Sequence, residues 1–121
     1  MKTTMEPTPL TPAVFHILLS LATGEKHGYE IMRQVKRDTN GKVKMGNGTL
    51  YGSIKRMLND KLIESTGHKL DSAIDDERRI YYKLTDFGQQ TLHAEMQRYV
   101  EVVLLVQKRK LLPKLSAKAT Q

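Results

Sequence analysis

The chain holds 121 residues with a formal net charge of +7 and a sequence pI near 9.7, which fits one domain and favours polyanionic partners, nucleic acid or an anionic membrane surface. It has no cysteine, so a disulfide framework and a thiolate metal site are both excluded, and a reducing, cytoplasmic setting is expected. A domain of this size buries only about 65% of the surface its unfolded chain exposes, so a long apolar helix left over from the core needs a partner.

Residues 1–10 hold two prolines and three threonines and read as a flexible N-terminal arm. Thr11 can cap a helix and Pro12 suits its first position. Val14, Phe15, Leu18, Leu19, Leu21 and Ala22 follow at helical spacing, and Thr23-Gly24 ends the run. The apolar stretch 13–22 is far shorter than the roughly 20 residues of a membrane span. Lys2 is the one side-chain cation before it, beside Glu6, and His16 and Ser20 interrupt it, so a buried helix is expected rather than a secretory leader or membrane anchor.

His27-Gly28-Tyr29 opens a second helix, with His27 capping or packing. Ile31, Met32 and Val35 lie inside; Arg33, Lys36 and Arg37 lie outside; Asn40-Gly41 closes the helix. Residues 43–45 are predicted as a short strand and 46–48 as a turn. A third helix is expected over about 49–60, its apolar face formed by Leu50, Ile54, Met57 and Leu58. Gly52, Lys55, Arg56 and Asn59 fall on the opposite face.

Residues 62–65 and 79–84 read as strands, the second rich in Ile80, Tyr81 and Tyr82. The polar segment 66–77 between them makes a wing-like hairpin. Thr85-Asp86 starts the last helix. From Leu92 the apolar steps run Leu92, Met96, Tyr99, Val103 and Val106, a heptad seam. Val100, Val102, Leu104 and Leu105 make residues 99–106 apolar on most sides. If helical over 86–112, where Pro113 stops it, this element is about 40 Å long, more than one small domain can cover. A symmetric dimer is inferred, with Phe15, Leu92, Met96, Tyr99, Val100, Val103, Leu104 and Val106 as its interface.

The expected fold is therefore mainly α with a small β-wing: a winged helix-turn-helix over 11–85, a C-terminal dimerisation helix over 86–112 and a disordered tail over 113–121. Four segments in order carry a family likeness: His27-Gly28-Tyr29-Glu30-Ile31, Gly48-Thr49-Leu50-Tyr51, Leu62-Ile63, and Arg79-Ile80-Tyr81-Tyr82-Lys83-Leu84-Thr85-Asp86-Phe87-Gly88. Over roughly residues 10–99 the chain resembles the PadR-like transcriptional regulators, in the branch with a single C-terminal helix. The resemblance implies repression by a homodimer on a near-palindromic operator, with release by a small aromatic or drug-like effector in many members. Three departures stand out. Gly52 occupies a position commonly proline, Lys61 one commonly glycine, and the wing tip carries Asp71, Asp75, Asp76 and Glu77. Phosphates repel four carboxylates, so the tip is expected to point away from a duplex or to be mobile.

A recognition helix sets its N-terminal half against base edges, while phosphate contacts supply affinity. The DNA-binding candidates are Thr49, Tyr51, Gly52, Ser53, Lys55, Arg56 and Asn59 on the third helix, Lys61 after it, Arg78 and Arg79 at the wing, and Arg33 and Lys36 on the second helix. Lys55 or Arg56 suits a guanine edge, Asn59 an adenine or a phosphate, and Tyr51 a phosphate. His68 and Lys69 are weaker wing candidates. The bland alternative is a solvated helix face. Tyr51, Tyr81 and Tyr82 suit packing better than a single-strand stacking platform. Phe15, Met96, Tyr99, Val100 and Val103 line a small-molecule site if the first and last helices pack together, although a filled core is the simpler reading.

His16, His27, His68 and His93 have no metal-site spacing, so neither a metal nor a cofactor is expected, and His16 reads as a packed residue. No phosphate loop, nucleophile elbow or motif-placed carboxylate pair is present, so a catalytic role has no residues to carry it. The reading is a sequence-specific DNA-binding regulator on double-stranded DNA. The rival is a winged-helix protein–protein interaction module with no specific DNA target, suggested by the acidic wing and the missing proline.

Overall fold

The computed structural model describes residues 9–70 and 78–113, with side chains described throughout except at 68–70 and 78. The acidic tip residues Asp71, Asp75, Asp76 and Glu77, the side chains of His68 and Lys69, most of the N-terminal arm and nearly all of the tail lie outside that set. Seven elements follow one another: α1 (Pro12–Leu21), β1 (Lys26–His27), α2 (Gly28–Asp38), α3 (Asn47–Asn59), β2 (Ile63–Leu70), β3 (Arg78–Leu84) and α4 (Asp86–Lys108). The fold is mainly helical with a three-stranded antiparallel sheet in the order β1-β3-β2, a winged helix-turn-helix followed by a long helix.

Side-chain caps start three of the helices. Thr11 Oγ1 accepts from the Val14 amide at 3.2 Å, with Pro12 in the first turn of α1. His27 and Glu30 form a reciprocal capping box at the start of α2. Thr85 Oγ1 accepts from the Gly88 amide at 2.9 Å and donates to the Lys61 carbonyl at 2.6 Å, which ties the start of α4 to the end of α3. No side-chain hydrogen bond caps α3, whose N-cap is Gly46; the helix begins at Asn47, two residues earlier than its apolar spacing suggests.

Three helices end in one way. After α2, α3 and α4, the residues Asn40, Lys61 and Lys110 take positive φ values of 54°, 63° and 60°. In each case the residue's own amide and the next amide turn back onto the last helical turn. After α3, for instance, Lys61 N–H donates to the Leu58 carbonyl at 3.1 Å and Leu62 N–H to the Met57 carbonyl at 2.9 Å. This is the Schellman arrangement, in which a left-handed residue satisfies orphan carbonyls. It also corrects the expected span of the last helix. The helix stops at Lys108 rather than 112, and the turn at Lys110 stops it before Pro113 is reached. The 23-residue helix is about 35 Å long.

The short strand is also placed differently from expectation. Residues 43–45 form no strand; they cross from α2 to α3, with Met45 buried and Val43 packed on the core. The third strand is instead β1, which pairs Lys26 with Tyr82 and His27 with Tyr81. A two-residue strand has no periodicity to read. It exists because β3 offers a free edge beside the start of α2. The wing is longer than expected on its first arm: residues 66–70 belong to β2, with a register break between Ser65 and Gly67, an irregularity that twists a hairpin locally.

The core gathers Ile17, Leu18, Ile31, Val35, Leu50 and Ile54 from the first three helices with Ile63, Leu84 and Leu92 from the wing base and α4. Leu10, expected in a structureless arm, packs against it, and its amide donates to Glu95 Oε2 at 3.3 Å. At Gly88 the backbone of α4 approaches the residue just before β2 so closely that an added Cβ would lie 1.9 Å from the Leu62 carbonyl oxygen. No helix among the described residues is long and apolar enough to cross a membrane.

Candidate nucleic-acid interface

Helix α3 seals one face. Leu50, Ser53, Ile54 and Met57 are buried, and at 100° per residue their directions centre opposite Lys55 and Asn59. Thr49, Lys55, Arg56 and Asn59 are exposed, and Gly52 is half-buried. Ser53 is the exception among the expected contacts: at 3% exposure it faces the core rather than a ligand. Its small polar side chain reads as surface in sequence, but its position one step from Leu50 and Ile54 on the wheel turns it inward.

Tyr51 stands on the flank of that face, 48% exposed. Its phenol reaches the start of α2, where a Cβ added at Gly28 would meet the Tyr51 hydroxyl at 2.3 Å. Tyr51, His27, Gly28, Arg79, Ile80 and Tyr82 surround one small hollow, so α2, α3 and β3 converge there. Tyr82 is buried beneath it. Burial raises its hydroxyl above the ordinary tyrosine value, and the neighbouring Tyr51 adds to the shift.

His27 both caps and packs. Its Nδ1 accepts from the Glu30 amide at 3.3 Å, so the ring proton sits on Nε2, while the His27 amide donates to Glu30 Oε1 at 3.1 Å. The ring stacks near Tyr29 and meets Tyr81 edge-on at 5.2 Å. A histidine therefore fixes the entry of α2, an unusual choice for a cap.

Around this centre the cations spread. Arg33 and Lys36 are exposed on α2, Lys61 is exposed at the turn after α3, and Arg79 is half-buried on β3. Arg78 opens β3, with its side chain outside the described set. Lys61 takes the left-handed conformation that explains why glycine suits its position.

The expected partner-facing residues divide into two groups. Leu92 is buried in the chain's own core, and Phe15 is buried with its ring edge-on to Tyr99 at 4.9 Å. Leu92 therefore completes the domain instead of forming the seam, because it lies on the side of α4 that faces α1 and the wing base. Met96, Tyr99, Val100, Val103 and Leu104 are exposed and Val106 is half-buried, while Val102 and Leu104 reach 57%. Within the expected ligand cluster, Phe15 and Tyr99 pack edge-on against each other. His16 is half-buried and touches Phe15 edge-on.

Glu95 was not legible as a structural residue. It is 3% exposed on α4 and pairs with Arg98, besides accepting the Leu10 amide. Glu95 and Arg98, three apart on one helix, signal a pair, but nothing in the sequence says the pair is inward. Among the described residues no three His, Asp or Glu side chains gather as a metal site would.

The profile of the transcriptional regulator PadR-like family matches residues 17–94. A PadR-like transcriptional regulator from Bacillus cereus is similar in structure, with 28% identity and a TM-score of 0.67, covering 83% of this chain and 92% of that one. A PadR family regulator from Clostridium difficile shares 26% identity at a TM-score of 0.68, covering 81% and 97%. Bacillus subtilis PadR, solved in complex with operator DNA, shares 25% identity at a TM-score of 0.57 over 66% of this chain and 44% of that one.

Proposed function

The chain belongs to the PadR-like family of transcriptional regulators, and from that premise we propose that it is a homodimeric repressor that reads a near-palindromic operator through α3. The observation that carries the proposal is the outer face of α3. Thr49, Lys55, Arg56 and Asn59 are exposed together above a sealed apolar face, and these residue types donate to base edges and phosphates. Bacillus subtilis PadR, crystallised with operator DNA, shows that a relative binds DNA. Under this reading the unit over 11–85 is the DNA-binding part, acting in the cytoplasm, with Tyr51, Gly52, Lys61, Arg33, Lys36, Arg78 and Arg79 flanking α3 on the sugar–phosphate backbone.

Dimerisation is supported by the apolar end of α4. Val100, Val102, Val103, Leu104 and Leu105 are each about half exposed and point all round the helix. A second copy related by a two-fold axis covers them and sets two α3 helices toward successive major grooves, about 34 Å apart. Two-fold symmetry in the protein then selects two-fold symmetry in the operator.

The test is selection of bound genomic fragments by the purified protein, followed by a gel shift on the selected fragment. Salt-sensitive, fragment-specific binding weakened by Lys55→Ala and by Arg56→Ala is expected. Binding untouched by both substitutions contradicts the assignment. Sequence-blind DNA binding with stoichiometric capture of one protein favours the interaction-module reading.

A further inference from the structure

Leu10 is where the N-terminal arm meets the fold. Its side chain packs on the core, and its amide donates at 3.3 Å to Oε2 of Glu95, a residue only 3% exposed on α4. Arg98 holds the other carboxylate oxygen. An amide given to a buried carboxylate is a charge-assisted hydrogen bond, stronger than a neutral one, so the arm is pinned to α4 at this point. Helix α1 fixes the side from which the arm arrives. Phe15 meets Tyr99, while Ala22 shares a hollow with Gln89 and Leu92. The two helices therefore run in opposite directions, and the chain that precedes α1 comes in beside the later turns of α4.

Those turns carry two rows of side chains. Glu95, Arg98, Val102 and Leu105 follow one another three or four residues apart and share one side of the helix. Met96, Val100 and Val103 form a second row, about 150° away at 100° per residue. The first row is closed where it begins, with Glu95 buried and Arg98 half-buried. It is bare beyond the pin, where Val102 is 57% and Leu105 45% exposed. A second helix lies along one apolar stripe, about 100° wide, so one partner helix on the row of Val100 and Val103 leaves the row of Val102 and Leu105 to be closed by another element.

We propose that the chain's own N-terminal arm closes it: residues 1–8 continue from Leu10 along α4, with Met5 packed against Val102 and Leu105. The reach is sufficient. Val102 and Leu105 lie about 10 and 15 Å beyond Glu95 along the helix, and the extended chain from Met5 to Leu10 spans up to about 18 Å. The arm's residue types suit the task. Methionine is unbranched and adapts to an irregular apolar surface. Pro7 and Pro9 bias Glu6 and Thr8 toward extended backbone, the shape of a strap rather than a coil. Neither DNA binding nor the pairing of two copies is needed for this contact, so it stands or falls apart from the repressor reading.

The chain has no cysteine, which makes disulfide trapping a clean test. Two double variants of the full chain are compared, Met5→Cys/Val102→Cys and Met5→Cys/Val100→Cys. Val100 and Val102 are both exposed and stand at nearly the same height on opposite sides of α4, so neither substitution disturbs the core, and far-UV circular dichroism verifies each fold. After mild oxidation, non-reducing electrophoresis separates single chains from covalent dimers, and peptide mapping of the single-chain band follows the intrachain disulfide over time. The expected result is an intrachain bond that forms at least about tenfold faster to residue 102 than to residue 100, the gain in effective concentration of a seated arm over a free one. Equal rates to the two positions mean that the arm favours neither side and overturn the proposal, as does the lack of any intrachain bond to residue 102. A covalent dimer as the main product of Met5→Cys/Val102→Cys makes a second copy the occupant of the row, which also overturns it.

Discussion

Replacing Gly88 with alanine tests how α4 is fixed to the winged helix. The added methyl would lie 1.9 Å from the Leu62 carbonyl oxygen and 2.9 Å from its carbon, whereas an unstrained carbon–oxygen contact needs about 3.3 Å. The helix start and the Leu62 backbone that leads into β2 must therefore separate by about 1.4 Å. The obstacle is backbone and cannot swing aside. The Leu62 carbonyl accepts the Thr85 amide at 3.1 Å, and Thr85 Oγ1 holds both Lys61 and Gly88. Separation loosens one hydrogen bond and the helix cap, each worth about 1 kcal/mol, besides overpacking of about 1–3 kcal/mol. Higher helix propensity returns at most about 1 kcal/mol. The net cost is about 2–4 kcal/mol, a large share of a stability of about 5–15 kcal/mol. Urea unfolding should show a lower midpoint with an unchanged slope. Gly28→Ala is the control, because its methyl meets only the tip of the Tyr51 side chain, which can rotate, and it should cost under about 1 kcal/mol. A Gly88→Ala protein within about 0.5 kcal/mol of the parent would refute the reasoning.

Further outcomes follow from other sites. Lys61→Gly relieves the left-handed strain at φ 63° and should raise unfolding stability by about 1 kcal/mol, with DNA affinity falling if the lysine contacts phosphate. His27→Ala removes the side-chain cap of α2 and should cost about 1 kcal/mol or more, while His27→Asn, which can still cap, should recover part of it in the same urea titration. Arg98→Ala leaves the buried Glu95 carboxylate without its ion pair and should lower the thermal midpoint by several degrees; an unchanged midpoint would show that the pair is incidental. Val103→Glu combined with Leu104→Glu places two charges on the exposed end of α4 and should leave a folded monomer by light scattering.

Local chemistry made most of the fold readable. Thr11, His27 and Thr85 announced three helix starts, and the apolar spacing of α3 separated Leu50, Ile54 and Met57 from Lys55, Arg56 and Asn59. What was hidden depended on tertiary contacts. The strand β1 is made by pairing with β3 and has too few residues to show a pattern. Lys61 and Lys110 take a conformation that lysine does not advertise, so the true end of α4 was masked by the more obvious Pro113. Ser53 and Glu95 are polar residues turned inward, and their surroundings come from other elements. The site was legible as a set of residue types on one helix face, whereas the junction of Tyr51 with Gly28 needed coordinates.

The role of α3 is tested most directly by comparing affinities for the selected operator and for a scrambled duplex of equal length, at one fixed salt concentration, in the parent protein and in Arg56→Ala. If Arg56 reads a base edge, the ratio of the two affinities should fall by about tenfold, the loss expected for one bidentate contact of about 1–3 kcal/mol. A ratio that stays constant while both affinities drop together would make Arg56 a backbone contact, and a ratio near one in the parent protein would contradict sequence-specific recognition by this chain.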